Sequence, residues 1–217
     1  MSDVRYQTSA LHVPRFLPLS PHASSLNSPM NTLLSLWLPI LLSAVVVFII
    51  SSLIHMVIKW HAADYGSMSN EDAVRAAINA GNLAPGPYVV PYCKEMKDMA
   101  SEAMVKKYQE GPVMHVTILP KGTPNMGKYL GTWFLLCLLI STIAGVLAGR
   151  VFGLSHVYAA TAAKLVFAVS FIGYGFGTIQ ESIWMGRPCK SSVKYLLDAL
   201  LYALGSAAVF YYLWPNR

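Results

Sequence analysis

Leu33–Ile54 reads LLSLWLPILLSAVVVFIISSLI, 22 residues without a charged side chain. As an α-helix rising about 1.5 Å per residue it extends about 33 Å, enough to cross a hydrocarbon core of about 30 Å. It exceeds the roughly 7–15 apolar residues of a signal peptide, and no small-residue cleavage site follows it closely. It therefore reads as a retained anchor, and the chain around it as a membrane protein. Composition agrees: the chain is 55% hydrophobic and 12% charged, against about 25% charged in soluble domains. Charge is scarce where a surface must face hydrocarbon.

Working outward, three more runs have span character. Tyr129–Gly149 is uncharged, His156–Thr178 carries Lys164, and Val193–Trp214 carries Lys194 and Asp198 near its start. The sequence thus predicts an all-α membrane protein of four transmembrane helices, at 32–58, 129–150, 155–180 and 192–214. Residues 1–31 are rich in Ser and Pro and read as a disordered tail, with Met30 as an alternative start.

Residues 59–128 read as a small soluble α+β insertion between the first and second spans. Ser69 and Asp72 resemble a capping box that opens a helix ending at Gly81. A strand at 88–92, a helix over 94–111 and a strand at 113–120 complete it. The insertion is too small to build much of a core, so it is expected to lean on the spans or on a partner.

Lys and Arg set the expected orientation. Of the 16, eleven flank the insertion and the 181–194 loop, four lie on the opposite side and Lys164 lies within a span. The basic side is expected to be cytoplasmic, with both termini outside. The net charge of +6 is assigned to these loops, and nucleic acid is not expected as a partner, since no nucleic-acid-reading motif is present. Cys93, Cys137 and Cys189 show no CxxC spacing. Cys137 lies inside an apolar run and reads as a small hydrophobe.

Three constellations are candidates for chemistry. Lys164 and Asp198 are charges inside spans, which suits a buried ion pair or proton relay. Snorkelling side chains, with Lys194 pairing Asp198, are the structural alternative. His61, Asp64, Glu181 and Arg187 form a candidate polar cluster at the membrane surface. His55, His61 and Asp64 are residue types that suit a transition metal, and His61 and Asp64 could share a face with Glu181 joining them; but His55 and His61 are six residues apart, about 240° around a helix, so one helix cannot present both to one ion. No metal, cofactor or catalytic residue is therefore expected. Arg187, Lys190 and Lys194 offer an anionic-lipid contact, set against Trp184 as a plain interfacial anchor. Gly145 and Gly149 fit small-residue helix packing. Gly173–Gly177, GYGFG, lacks the Thr-Val of a potassium filter and also reads as close packing.

The segments LAPGPYVVP (83–91), PNMGKYLGTWF (124–134) and ESIWMGRP (181–188) together resemble a set of bacterial inner-membrane proteins without an assigned function. Those proteins have one span, a short insertion and three further spans. The resemblance implies a bacterial inner-membrane location and transfers no site. Function is expected to be that of a non-enzymatic accessory or assembly subunit, in the bilayer with a membrane-protein partner or as a homo-oligomer. The alternative is a small oligomeric proton-coupled transporter using Lys164 and Asp198, and a membrane enzyme using His61, Asp64 and Glu181 comes third.

Overall fold

The computed structural model describes residues 29–215. Helix α1 spans Pro29–Ser52, continues as a wide π-helical turn over Leu53–Ile58 and gives way to a 3-10 turn at Trp60–Asp64. The insertion follows, with α2 (Glu71–Ala80), β1 (Gly86–Val90), a 3-10 turn (Met96–Ala100), α3 (Glu102–Glu110) and β2 (Met114–Ile118). The last three spans comprise α4 (Met126–Phe152), α5 (Ala159–Gly175) with its continuation α6 (Gly177–Trp184), and α7 (Cys189–Tyr212).

Four helices are long and apolar enough to cross a membrane: Met30–Ile58, Met126–Phe152, His156–Trp184 and Cys189–Tyr212. The chain is a four-span membrane protein with a small α+β insertion after its first span. The expected 1–31 tail is corrected at its end, because Pro29–Asn31 already belong to α1; the rest of that tail lies outside the described residues.

The spans form a four-helix bundle. α1 packs on α4 and α7, and α5 packs on α4 and α7. Close approach is set by small residues. A Cβ at Gly145 would meet Phe210 Cε1 at 2.7 Å, and one at Gly149 would meet Thr32 Cγ2 at 2.5 Å. These two glycines do the packing that their spacing implied. Outside the bundle, α4 turns Leu135, Leu139, Ile143 and Leu147 outward. That exposed i, i+4 stripe suits hydrocarbon.

The core falls into two apolar clusters. Leu36, Ile40, Ala144, Ala148, Val166, Phe210 and Trp214 fill one part of the bundle. Ala44, Val47, Ile54, Cys137 and Tyr202, with Trp133 and Tyr174 against them, fill the part nearer the insertion. Cys137 is fully buried there, as a small hydrophobe would be. Between α1 and α4, Ser141 Oγ donates to Ser43 Oγ at 3.0 Å, so two buried hydroxyls meet each other inside the bundle.

The insertion is a two-stranded antiparallel sheet with two short helices. Its register runs from Gly86↔Ile118 to Val90↔Met114. Two local expectations are corrected. The first insertion helix starts at Glu71 with Asn70 as its N-cap, and no side chain caps it. The single helix over 94–111 is broken, because Ser101 Oγ accepts from Met104 N at 3.4 Å and opens a new helix there. A serine able to cap from within a run competes with helix continuation. Met104 is the sole buried apolar residue of the insertion among the described residues.

Candidate functional site

The site is made where α1 stops being a regular helix. The π-helical turn over Leu53–Ile58 ends at Lys59, whose φ of 55° and ψ of 28° are left-handed. Its N–H donates to Ile54 O at 2.8 Å, closing the turn. The chain then folds back through Trp60–Asp64, and the His61 ring stacks on the His55 ring with centroids 4.9 Å apart. The 240° separation expected of a straight helix is therefore overturned. Two imidazoles six residues apart come to one place because the helix between them unwinds.

From α7, Asp198 meets them. Its carboxylate is buried, with Oδ2 2.7 Å from His61 Nε2 and 3.8 Å from His55 Nε2. The other imidazole nitrogen, His61 Nδ1, lies 3.0 Å from Asp64 Oδ2. Asp64 in turn accepts from Lys194 Nζ at 2.6 Å, and the same ammonium donates to Trp60 O at 2.8 Å. The Lys194 ammonium holds the Asp64 carboxyl below the usual carboxylate range, against the opposing effect of burial, and the His61 contact acts with it. His55, Asp198, His61, Asp64 and Lys194 thus make one continuous polar chain where the insertion joins the bundle.

A second chain of contacts crosses it. The Tyr195 ring stacks on His61 with centroids 4.3 Å apart, and the Arg187 guanidinium lies 5.2 Å from the Tyr195 centroid. Arg187 Nε pairs with Glu181 Oε2 at 2.5 Å. Nearby, Thr178 Oγ1 donates to Ser192 Oγ at 2.9 Å, tying α6 to α7.

Two hollows border this network. A cavity of about 570 Å³ lies between the end of α1 and the start of α4. Its walls include His55 and Asp198 with the aromatics Tyr129, Trp133, Tyr174 and Tyr202. Asp198 Oδ1 and Trp133 Nε1 are buried on it without a hydrogen-bond partner among the described residues. A shallower cleft of about 710 Å³ lies between the sheet and the α6–α7 junction, bordered by Asp64, Tyr88, His115, Glu181 and Arg187.

The sequence-predicted residues are partly brought together. His61 pairs with Asp64, and Glu181 with Arg187; Tyr195 joins the two pairs. Lys164 and Asp198 do not meet. Lys164 is exposed on α5, while the ion-pair partners of Asp198 among the described residues are His61 and His55. Lys194, the alternative partner of Asp198, turns to Asp64 instead. Two nitrogens and an oxygen of His55, His61 and Asp198 lie within 4.8 Å of one another, a grouping that suits a metal ion. Sequence reasoning weighed His55 with His61 and set it aside on straight-helix spacing, and it missed Tyr195 as a member of the site. The available signal was a histidine pair just past an uncharged span, without the bend that unites it.

Comparison with protein-family models, with curated proteins and with solved structures returns no match for this chain.

Proposed function

We propose that this four-span protein binds a cation at Asp198, at the membrane face that carries the insertion. One observation carries the reading: a carboxylate only 2% exposed has one oxygen without a partner among the described residues, on the wall of an aromatic cavity. A buried charge that is left partly uncompensated is costly, and within a membrane span such groups mark ion or substrate pathways. Aromatic faces around the carboxylate add further attraction for positive charge. This retains Asp198 from the transport expectation and replaces Lys164 with His61.

The test is thermal unfolding of the full chain in lipid nanodiscs with Zn²⁺, Mn²⁺, Na⁺, K⁺ or tetramethylammonium added in turn. A cation that binds the folded state at 100 times its Kd adds about 2.7 kcal/mol of stability. At least one is expected to raise the melting temperature of the wild type and not of Asp198→Asn. No stabilisation by any of them would overturn the reading.

A second reading, an accessory subunit that docks a partner, is favoured by the insertion. It leaves Tyr92, Met96, Val113 and Leu119 exposed and buries little of its own apolar surface. With eleven of sixteen Lys and Arg on that side, we place the insertion in the cytoplasm and both termini outside. The bacterial inner membrane is the setting that the resemblance of its motifs supports.

A further inference from the structure

We propose that His55, His61 and Asp198 are the ligands of a divalent transition-metal ion, with Asp64 positioning His61. The proposal rests on the cation reading above and names the cation.

The first argument is valence. Both ring nitrogens of His61 face carboxylate oxygens, Nδ1 that of Asp64 at 3.0 Å and Nε2 that of Asp198 at 2.7 Å. An ionised carboxylate only accepts, and a neutral imidazole has one N–H to donate. That N–H serves one of the two contacts; in the other a ring lone pair faces a carboxylate oxygen, and a positive centre must lie between them. A proton meets the requirement for this one pair. A metal ion meets it while also engaging groups that the proton leaves unused: His55 Nε2, 3.8 Å from the same Asp198 oxygen, and Asp198 Oδ1, buried without a partner among the described residues.

The second argument is geometry. Ligand atoms about 2.0–2.2 Å from one ion lie roughly 3–3.5 Å from each other. The three groups here lie within 4.8 Å of one another, with the closest pair at 2.7 Å. Side-chain adjustments of about an ångström bring them to coordination distance. On binding, the ion takes the place of the Nε2 proton, which leaves to solvent.

The third argument is support. A ligating histidine ordinarily donates its other N–H to a carboxylate, which fixes its tautomer and ring orientation. Asp64 does this for His61, and Lys194 fixes Asp64 at 2.6 Å. The stacked Tyr195 ring holds the imidazole plane from α7. Two imidazoles and one carboxylate favour Zn²⁺, Fe²⁺, Co²⁺ or Mn²⁺ over the oxygen-seeking Ca²⁺ and Mg²⁺. His55 and Asp198 belong to the cavity wall, so the ion's approach and its remaining coordination positions lie on that side.

The experiment uses the full chain without a polyhistidine tag, in nanodiscs, stripped by chelator and titrated with Zn²⁺ in a calorimeter and Co²⁺ in a visible spectrometer. The expected result is one equivalent of metal and Co²⁺ ligand-field bands that Zn²⁺ abolishes. His55→Gln, at a side chain 40% exposed, is expected to lose the bands, and Asp64→Asn to weaken Zn²⁺ binding about 10–100-fold. If a variant fails to fold, X-ray absorption of the Zn²⁺-loaded wild type decides by whether two imidazoles surround the ion. No stoichiometric Zn²⁺ binding, equal binding by His55→Gln, or a spectrum without two imidazoles would overturn the proposal. Stabilisation by K⁺ or tetramethylammonium through Asp198, without Zn²⁺ binding, would remove the metal and leave the cation reading standing. Failure of every cation removes both.

Discussion

His61 is held between two carboxylates and two stacked rings, and that position gives its removal a definite cost. Asp198 is 2% exposed, so His61→Ala strands a buried charge beside His55, a weak and half-open partner. Breaking one partner from a buried pair costs about 3–5 kcal/mol, whereas replacing both with apolar groups is often close to neutral. In the absence of added metal, His61→Ala is expected to destabilise the chain by that amount, and adding Asp198→Leu to recover most of it. Denaturant unfolding in detergent measures both. Equal or greater loss in the double variant would mean that the pair is not the source of the effect. Lys164 illustrates the opposite case. The sequence marks it as a charge in a span, but it is exposed on α5 and Asp198 takes histidine partners instead. Sequence position gives a residue's depth only roughly and does not say which way its helix face turns.

At the scale of elements, the site depends on one bend. The π-helical turn and the left-handed Lys59 return the chain so that His61 overlies His55. The left-handed conformation costs a non-glycine residue about 1–2 kcal/mol, so Lys59→Gly is expected to keep the site intact. Lys59→Pro fixes φ near −65° and deletes the N–H that bonds Ile54 O at 2.8 Å. It is expected to separate His61 from Asp198 and abolish cation stabilisation, while circular dichroism still reports intact spans. Unchanged stabilisation in Lys59→Pro would show that the bend does not position the site. No part of IHMVIKWHAAD announces this turn. Its residues continue a helix as readily as they leave one, and the unwinding has a use only when α7 supplies Asp198 and Tyr195. The insertion's elements were more legible. Runs of β-branched residues bounded by proline or glycine pointed to both strands, and the broken second helix was missed because Ser101 can either continue a helix or cap one.

For the whole molecule, the bundle and its insertion make a sidedness claim. On the proposed orientation the basic loops of 59–128 and 181–194 lie in the cytoplasm. Protease added to sealed vesicles is expected to cut within 66–125 only when the cytoplasmic face is outward. Cutting from the opposite face would reverse the orientation. The same experiment bears on the partner reading. Sites that are protected in native vesicles of the accessible orientation and cut after purification support a docked partner, and equal cutting in both argues against one.

Four apolar runs of spanning length, the hydrophilic insertion after the first and the small-residue packing at Gly145 and Gly149 were determined by the sequence itself. Length, hydropathy and residue size are local properties, and lipid or a neighbouring helix imposes a single response to them. The site was decided by the tertiary structure. His61 and Asp198, which hydrogen-bond, are 137 residues apart. Their meeting depends on a helix that unwinds at one point and on the rotation of another packed against it. Neither leaves a periodic trace in the chain, because each is fixed by the contacts that form only once the bundle has assembled.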